Sequence, residues 1–505
     1  MEYNISNKAK KITLGLSIIG LILLVVGFFQ QKDYVFADAI DEHTVSVRYN
    51  GIANEQEQEA LKIRMTDFMS NSAYLIEIHS EGAHHSDETA HKEEAHSDDH
   101  SAHHGPTFVW NVHIKSATNT DAHEDSHAST NSENAANILV SAIESGDLSF
   151  FDTKHKRFWS NLLINGFFFL GISLGALFFL ALHYATESGW GVVLLRVFEG
   201  VMTVMPIGII ALLIVFLAGT FGMHGIYPWM DADIVASDDI IWAKTAYLNK
   251  PFFWIRVAAY FGVFYLFMRW FKKKSRQEDN EGGTKTHFKM YRRGALFLVF
   301  FAVFSSTMSW DFIMSIDTHW YSTLFGWYVF SGIWLSGMVM IMMITLYLRS
   351  RGHLPHVKNS HVHDVAKWMF ALSFLWSYLW FSQYMLIWYA NIPEEATYFV
   401  SRIEDYRFIF YGTFFMNFFF PMVFLMARDT KRATGYLLVI GSIIFIGHWL
   451  DVFVMVMPGT LFDQWDFGFL EIGMFLTFLG LTVFGILKAI GKAPLLQKNH
   501  PYLEE

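Results

Sequence analysis

Residues 159–184 read WSNLLINGFFFLGISLGALFFLALHY, with no Asp, Glu, Lys or Arg among them. As a helix, a run of that length crosses the roughly 30 Å hydrocarbon core of a bilayer. In lipid every backbone amide must find its hydrogen bond within its own segment, so such a run is helical. Nine more runs share this character, at about 12–29, 194–219, 252–271, 294–315, 326–348, 366–390, 408–427, 434–456 and 467–489. Composition agrees: 53% of the 505 residues are hydrophobic and 17% aromatic, with 50 Phe and 17 Trp, more than one soluble core needs. The expectation is an all-α polytopic membrane protein of about ten transmembrane helices, with the lipid bilayer as its first partner.

The net charge of -10 is concentrated in one extramembrane block. No basic face accompanies a soluble fold, so no nucleic-acid partner is expected. The chain has no cysteine, which excludes disulfides, iron–sulfur clusters and covalently attached c-type haem. If the chain takes part in electron transfer, another chain has to carry those centres.

Lys and Arg set an expected orientation. Lys272, Lys273, Lys274, Arg276, Lys285, Lys289, Arg292 and Arg293 fall in one connection, Arg349, Arg351 and Lys358 in a second, and Arg428, Lys431 and Arg432 in a third. Lys492 and Lys498 follow the last run. With ten spans these lie on the side of the N-terminus, which predicts both termini in the cytoplasm. Lys8, Lys10 and Lys11 precede the first run, and FFQQKDYVF follows it without a small-residue cleavage site, so it reads as a retained anchor.

The chain then divides into an N-terminal tail and anchor (1–29), an extracytoplasmic insertion (30–158), a nine-helix membrane region (159–490) and a cytoplasmic tail (491–505). Within the insertion, HTVSVRYN (43–50) and TFVWNVHI (107–114) alternate as half-buried strands do, and residues 55–78 are read as a helix. GAHHSDETAHKEEAHSDDHSAHHG (82–105) holds seven His and six acids, and a second polar stretch spans 116–137. Neither buries enough apolar surface to fold alone, so the insertion is expected to be mixed and partly disordered. The His tract offers imidazole and carboxylate, yet its spacing follows no fixed ligand geometry, and no metal site is assigned.

Ionisable groups inside spans are costly and usually pair or line a path. Arg196 and Glu199 sit one turn apart, and with His183 they form a candidate proton intake at the cytoplasmic end. On the outer side, Asp311, Asp317, His319, His448, Asp451, Glu471, Arg256 and Gln383 are candidates for a proton path or a quinone-proximal cavity. A His beside a carboxylate takes and passes protons, and quinol oxidation releases protons that need such acceptors. Between the two ends the spans are sparse, with Asn417, Ser305, Ser306, Thr307 and the Tyr and Trp side chains. His183 and His448 fall in opposite leaflets, so they do not sandwich a b-type haem.

MSWDFIMSIDTHWYSTLFGWYVFSG (308–332), the ten-span layout and the large insertion after the first helix resemble one subunit of bacterial alternative complex III. That complex is a quinol:electron-acceptor oxidoreductase. The likeness is to the second of its two large membrane subunits, related to the polysulfide-reductase (NrfD-type) membrane anchors and labelled quinone-binding. The resemblance implies two four-helix bundles, helices two to five and six to nine, flanked by helices one and ten. It implies partners, namely a multihaem cytochrome c, an iron–sulfur subunit and a homologous membrane subunit, and a quinone, menaquinone or ubiquinone, as the carrier. No redox centre of this chain's own is expected, and its part would be anchoring the haem and iron–sulfur subunits together with proton relay or quinone binding. A pure structural scaffold is the alternative. A secondary transporter would show interrupted helix pairs in matching halves, and Pro206 and Pro421 do not occupy matching places.

Overall fold

The computed structural model describes residues 3–29, 35–41, 44–50, 74–81, 107–116, 153–461, 465 and 467–503, with isolated positions at 65, 66, 69 and 139. The His tract at 82–105, the polar stretch at 117–137 and most of the helix read at 55–78 lie outside the described residues. The chain separates into a helical unit (1–30, 158–460 and 467–505) and a second unit (31–157 and 461–466).

Among the described residues of the second unit is a four-stranded antiparallel sheet of order β1-β2-β4-β3: Val35–Asp41, Thr44–Asn50, Thr107–Ser116 and Tyr74–Glu81. Both alternating segments read as strands are strands. Tyr74–Ile78, read as the end of a helix, is a strand instead, paired along Thr107–Ser116 with Ile78 opposite Val112. Its run of aromatic and apolar residues suits a pleated surface, and the tertiary ladder overrides the helical pattern before it. Val112 also pairs with Val45, and both are fully buried.

The helical unit is an all-α polytopic membrane protein. Nine helices among its described residues are long and apolar enough to cross a membrane. The tenth expected span is the helix Asn359–Ala390, equally long but diluted by Trp, Tyr, Ser and His. It buries Trp376, Ser377 and Gln383 and exposes Phe374, Tyr378, Phe381, Leu386, Trp388 and Tyr389. An outward face of aromatics near a helix end suits the membrane–water boundary.

Two spans are interrupted. Val192–Thr220 breaks at Thr203–Val204, one residue before Met205 and Pro206 restart the helix. Arg407–Leu425 carries a π turn over Phe415–Phe419. Pro421 has no amide hydrogen to offer the carbonyl of Asn417, and the widened turn absorbs that loss.

The basic connection expected at 272–293 is almost wholly helical. Lys250–Glu281 and Thr284–Phe312 extend through it and meet at Gly282 and Gly283, with φ of 66° and 72°. Only residues without a Cβ take that left-handed backbone freely, so two adjacent glycines allow an abrupt reversal. A helix of 32 residues is roughly 48 Å long, well beyond the hydrocarbon thickness, so this turn stands clear of it.

The first helix, Asn7–Phe29, lies along the last, Phe469–Ile490, through small residues: Thr13, Ser17, Gly20 and Gly27 on one, Gly473, Thr477 and Gly480 on the other. A Cβ at Gly20 would stand 2.5 Å from the backbone nitrogen of Thr477, so the backbones themselves touch. The rest of the first helix is exposed, with Ile12, Ile18, Ile22 and Phe29 on the outside.

Candidate functional site

Side-chain contacts sort the candidate residues into two ends and an interior. At the end where the Gly282–Gly283 turn, the C-terminal tail and the Arg351–Lys358 loop meet, Tyr3 and His353 form an edge contact and Gln497 reaches Ser275 at 2.8 Å. Arg196 donates to Glu199 at 2.8 Å and to Ser275 at 2.9 Å, and pairs with Asp279. Ser275 donates in turn to Glu199. Arg196 and Glu199 therefore share a face and pair, within a larger buried network. His183 is not bonded to them. Its Nδ1 faces the Phe179 carbonyl at 3.2 Å, inside a cage of Phe179, Trp190 and Phe198, and its Nε2 has no hydrogen-bond partner.

At the opposite end, Arg256 makes a two-pronged contact with fully buried Asp311, Nε to Oδ2 at 2.7 Å and Nη2 to Oδ1 at 2.9 Å. Tyr260 donates to the same carboxylate at 2.8 Å, and the guanidinium lies over the Tyr247 ring at 3.9 Å. Arg256 also donates to the Tyr247 carbonyl at 3.0 Å, so each of its three nitrogens and both oxygens of Asp311 meet a fixed neighbour, which is the arrangement of a structural lock. Burial, and next the Asp311 charge, push the Tyr247 phenol up to about 12, so it stays protonated. Asp317 caps the turn to Trp320 with a 3.4 Å contact. His319 is 44% exposed and ion-paired with Asp238 at 2.8 Å. Lys244, which donates to the Thr318 carbonyl, is pulled down by its burial. Glu471 caps its own helix through the Gly468 amide at 2.8 Å and accepts from Asn161 at 2.9 Å.

The interior centre is His448 and Asp451, one turn apart on Thr434–Val456. Both are buried, with Nδ1 of His448 3.8 Å from Oδ2 of Asp451. Trp376 donates to Asp451 Oδ2 at 2.9 Å, and Tyr328 donates to Oδ1. These donors come from the neighbouring helices Asn359–Ala390 and Leu324–Ser350, so the carboxylate sits where three helices meet. His448 Nε2 has no hydrogen-bond partner. Asn417, at the π turn, is fully buried with both amide atoms unpartnered. It lies against Gly447, the residue before His448, where any Cβ would collide with its Oδ1.

Asp451 lines two small cavities. One, of ≈ 20 Å³, is walled by Phe168, Gly332, Ser336 and His448. The second, also ≈ 20 Å³, is walled by Tyr328, Trp380, Gln383, Tyr398, Arg402 and Thr413. Each has room for about one water molecule, far less than a quinone ring. Gln383 belongs to the second cavity and also accepts from Ser322 at 2.6 Å. Arg402 stacks 3.4 Å above the Tyr398 ring, which stacks in turn on Trp320 at 3.9 Å.

The structure thus gathers His448, Asp451 and Gln383 around two voids that share Asp451 in their walls. It places Arg256 with Asp311, Glu471 with Asn161 and His319 with Asp238 in separate contacts. Ser306 and Thr307, read as midplane polar residues, bond back to the carbonyls of Ala302 and Val303 on their own helix. Sequence reasoning did not single out Tyr328, Trp376, Arg402 or Tyr398. Tyr328 lies within 308–332, whereas Trp376 carries no signal among 17 tryptophans. No family model matches the chain, and no curated protein matches it.

Proposed function

We propose that this chain is an integral membrane subunit of a quinol-oxidising respiratory complex of the alternative complex III type, and that its own contribution is to relay protons through the His448–Asp451 centre. The observation that carries the reading is a buried carboxylate and imidazole inside a membrane helix, with Asp451 in the walls of two water-sized voids. An ionisable pair at such a place is expensive unless it serves a path. A water on either side would let Asp451 exchange a proton with His448 or toward Gln383 and Arg402. The voids are too small for a quinone ring, so the reading gives this chain the protons and leaves ring chemistry to a partner. With no cysteine, iron–sulfur and c-type haem centres would likewise sit on partners. Under this reading the basic turns face the cytoplasm and the Arg256–Asp311 end faces outward, following the distribution of Lys and Arg.

The test is purification of the native assembly in mild detergent. Stable haem-bearing and iron–sulfur partners are expected in fixed ratio to this chain, and their absence from a stable preparation would overturn the assignment. A scaffold role is favoured at one place, the charge-paired Arg256–Asp311–Tyr260 group. Mutations there separate the two roles, as set out below.

A further inference from the structure

The Gly282–Gly283 reversal brings Glu278, near the end of one helix, beside His287, in the first turns of the next. The C-terminal tail adds a third group, His500. It is held there by Gln497 on Ser275 at 2.8 Å, by the Lys498 amide on Asp279 at 3.0 Å and by Asn499 on the Asp279 carbonyl at 2.8 Å. All three side chains are buried, and one donor atom from each lies within 4.8 Å of the others.

Their hydrogen bonding is incomplete in a way that points to an absent ligand. Neither carboxylate oxygen of Glu278 has a hydrogen-bond partner, and neither ring nitrogen of His287 has one. Nδ1 of His287 stands 3.5 Å from Oε1 of Glu278. A buried carboxylate left so is costly. Two ligands on a tetrahedral Zn²⁺ with bonds of 2.0–2.1 Å stand about 3.3 Å apart, close to that separation. Tyr184 and Tyr502 close over the group, with ring centroids 5.9 and 5.5 Å from His287.

We propose that Glu278, His287 and His500 form a binding site for a divalent transition metal of the Zn²⁺ class, which pins the C-terminal tail to the helical reversal. One carboxylate and two imidazoles suit Zn²⁺ and leave one position for water. The Tyr502 amide now donates to His500 Nδ1 at 3.2 Å. Ligation through Nε2 moves the ring proton to Nδ1 and gives up that contact, so loading reorganises the last turn of the tail. The site is independent of the proton-relay reading.

The experiment uses the full chain with the seven histidines of residues 82–105 changed to Asn, so that the tract contributes no binding. The purified, chelator-treated protein is titrated with Co²⁺ alone and then with competing Zn²⁺. One Co²⁺ per chain is expected, with the visible ligand-field absorption of a four-coordinate site, bleached by Zn²⁺. His500→Ala and His287→Asn should each weaken uptake at least tenfold, and Glu278→Gln should do the same, while His353→Asn should not. His500→Ala lies in the tail and tests the site where a helix variant fails to fold. No stoichiometric uptake by the parent chain, or uptake unchanged by His500→Ala, would overturn the proposal.

Discussion

Trp376 gives its indole N–H to Asp451 at 2.9 Å, joining the helices Asn359–Ala390 and Thr434–Val456 through a buried carboxylate. Tyr328 supplies the second donor. Among the described residues, Asp451 is held by these two neutral donors and an imidazole 3.8 Å away, whereas Asp311 is gripped by the Arg256 guanidinium. On the proposed relay reading, that contrast sets Asp311 apart as a residue that holds the fold and Asp451 as one that exchanges protons.

Removing one neutral donor should change the centre without dismantling it. Tyr328→Phe deletes a hydrogen bond to Asp451 and is expected to cost about 1–3 kcal/mol of stability. Quinol turnover of the assembled complex should fall as well, read as activity per assembled subunit. Equal turnover in Tyr328→Phe and parent would take that hydroxyl out of the relay.

The lock at the opposite end should behave in reverse. Asp311→Leu strands the Arg256 guanidinium in a buried place and is expected to destabilise the chain by roughly 3–5 kcal/mol. Thermal unfolding in detergent measures this. Whatever fraction assembles should turn over normally, and assembled protein with slow turnover would place Asp311 in the path.

Asn417 gives a test in which stability and activity move in opposite directions. Both of its amide atoms are buried without partners beside Gly447. Asn417→Leu removes that unmet demand and should raise stability by about 1–3 kcal/mol. If the amide helps hold water near His448, turnover falls in the same variant. A gain in stability with unaltered turnover would make Asn417 a packing residue only.

The first and last helices test the small-residue contact. Gly473→Ala places a methyl against the backbone of Leu24 and should cost about 1–3 kcal/mol or more, lowering the yield of folded protein. Gly15→Ala, on the open face with nothing within 4 Å, should be neutral or stabilise by up to about 1 kcal/mol. Equal behaviour of the two would argue against the close approach.

Helices were legible because each apolar run satisfies its own backbone, a local property. The same locality made the His448–Asp451 and Arg196–Glu199 pairs readable, since one helical turn separates their members. Partners that converge from distant segments were not. Arg256 meets Asp311 across 55 positions and Trp376 meets Asp451 across 75, and nothing in the intervening residues encodes those distances. The run at 272–293 looked like a loop because it is charged. It is helical because Lys, Arg and Glu are good helix formers once clear of lipid, and only the glycine pair stops them. Eight outer candidates looked like one cavity when only depth was known, and side-chain contacts divide them.

The most direct measurement is the turnover of native complex assembled with Asp451→Asn, a change that keeps the shape and an acceptor for Trp376 while removing the exchangeable charge. With assembly matched to parent by subunit ratio, quinol oxidation should drop about 100-fold, the scale of lost general acid–base participation. An assembled Asp451→Asn complex that oxidises quinol at the parental rate would contradict a relay through this centre.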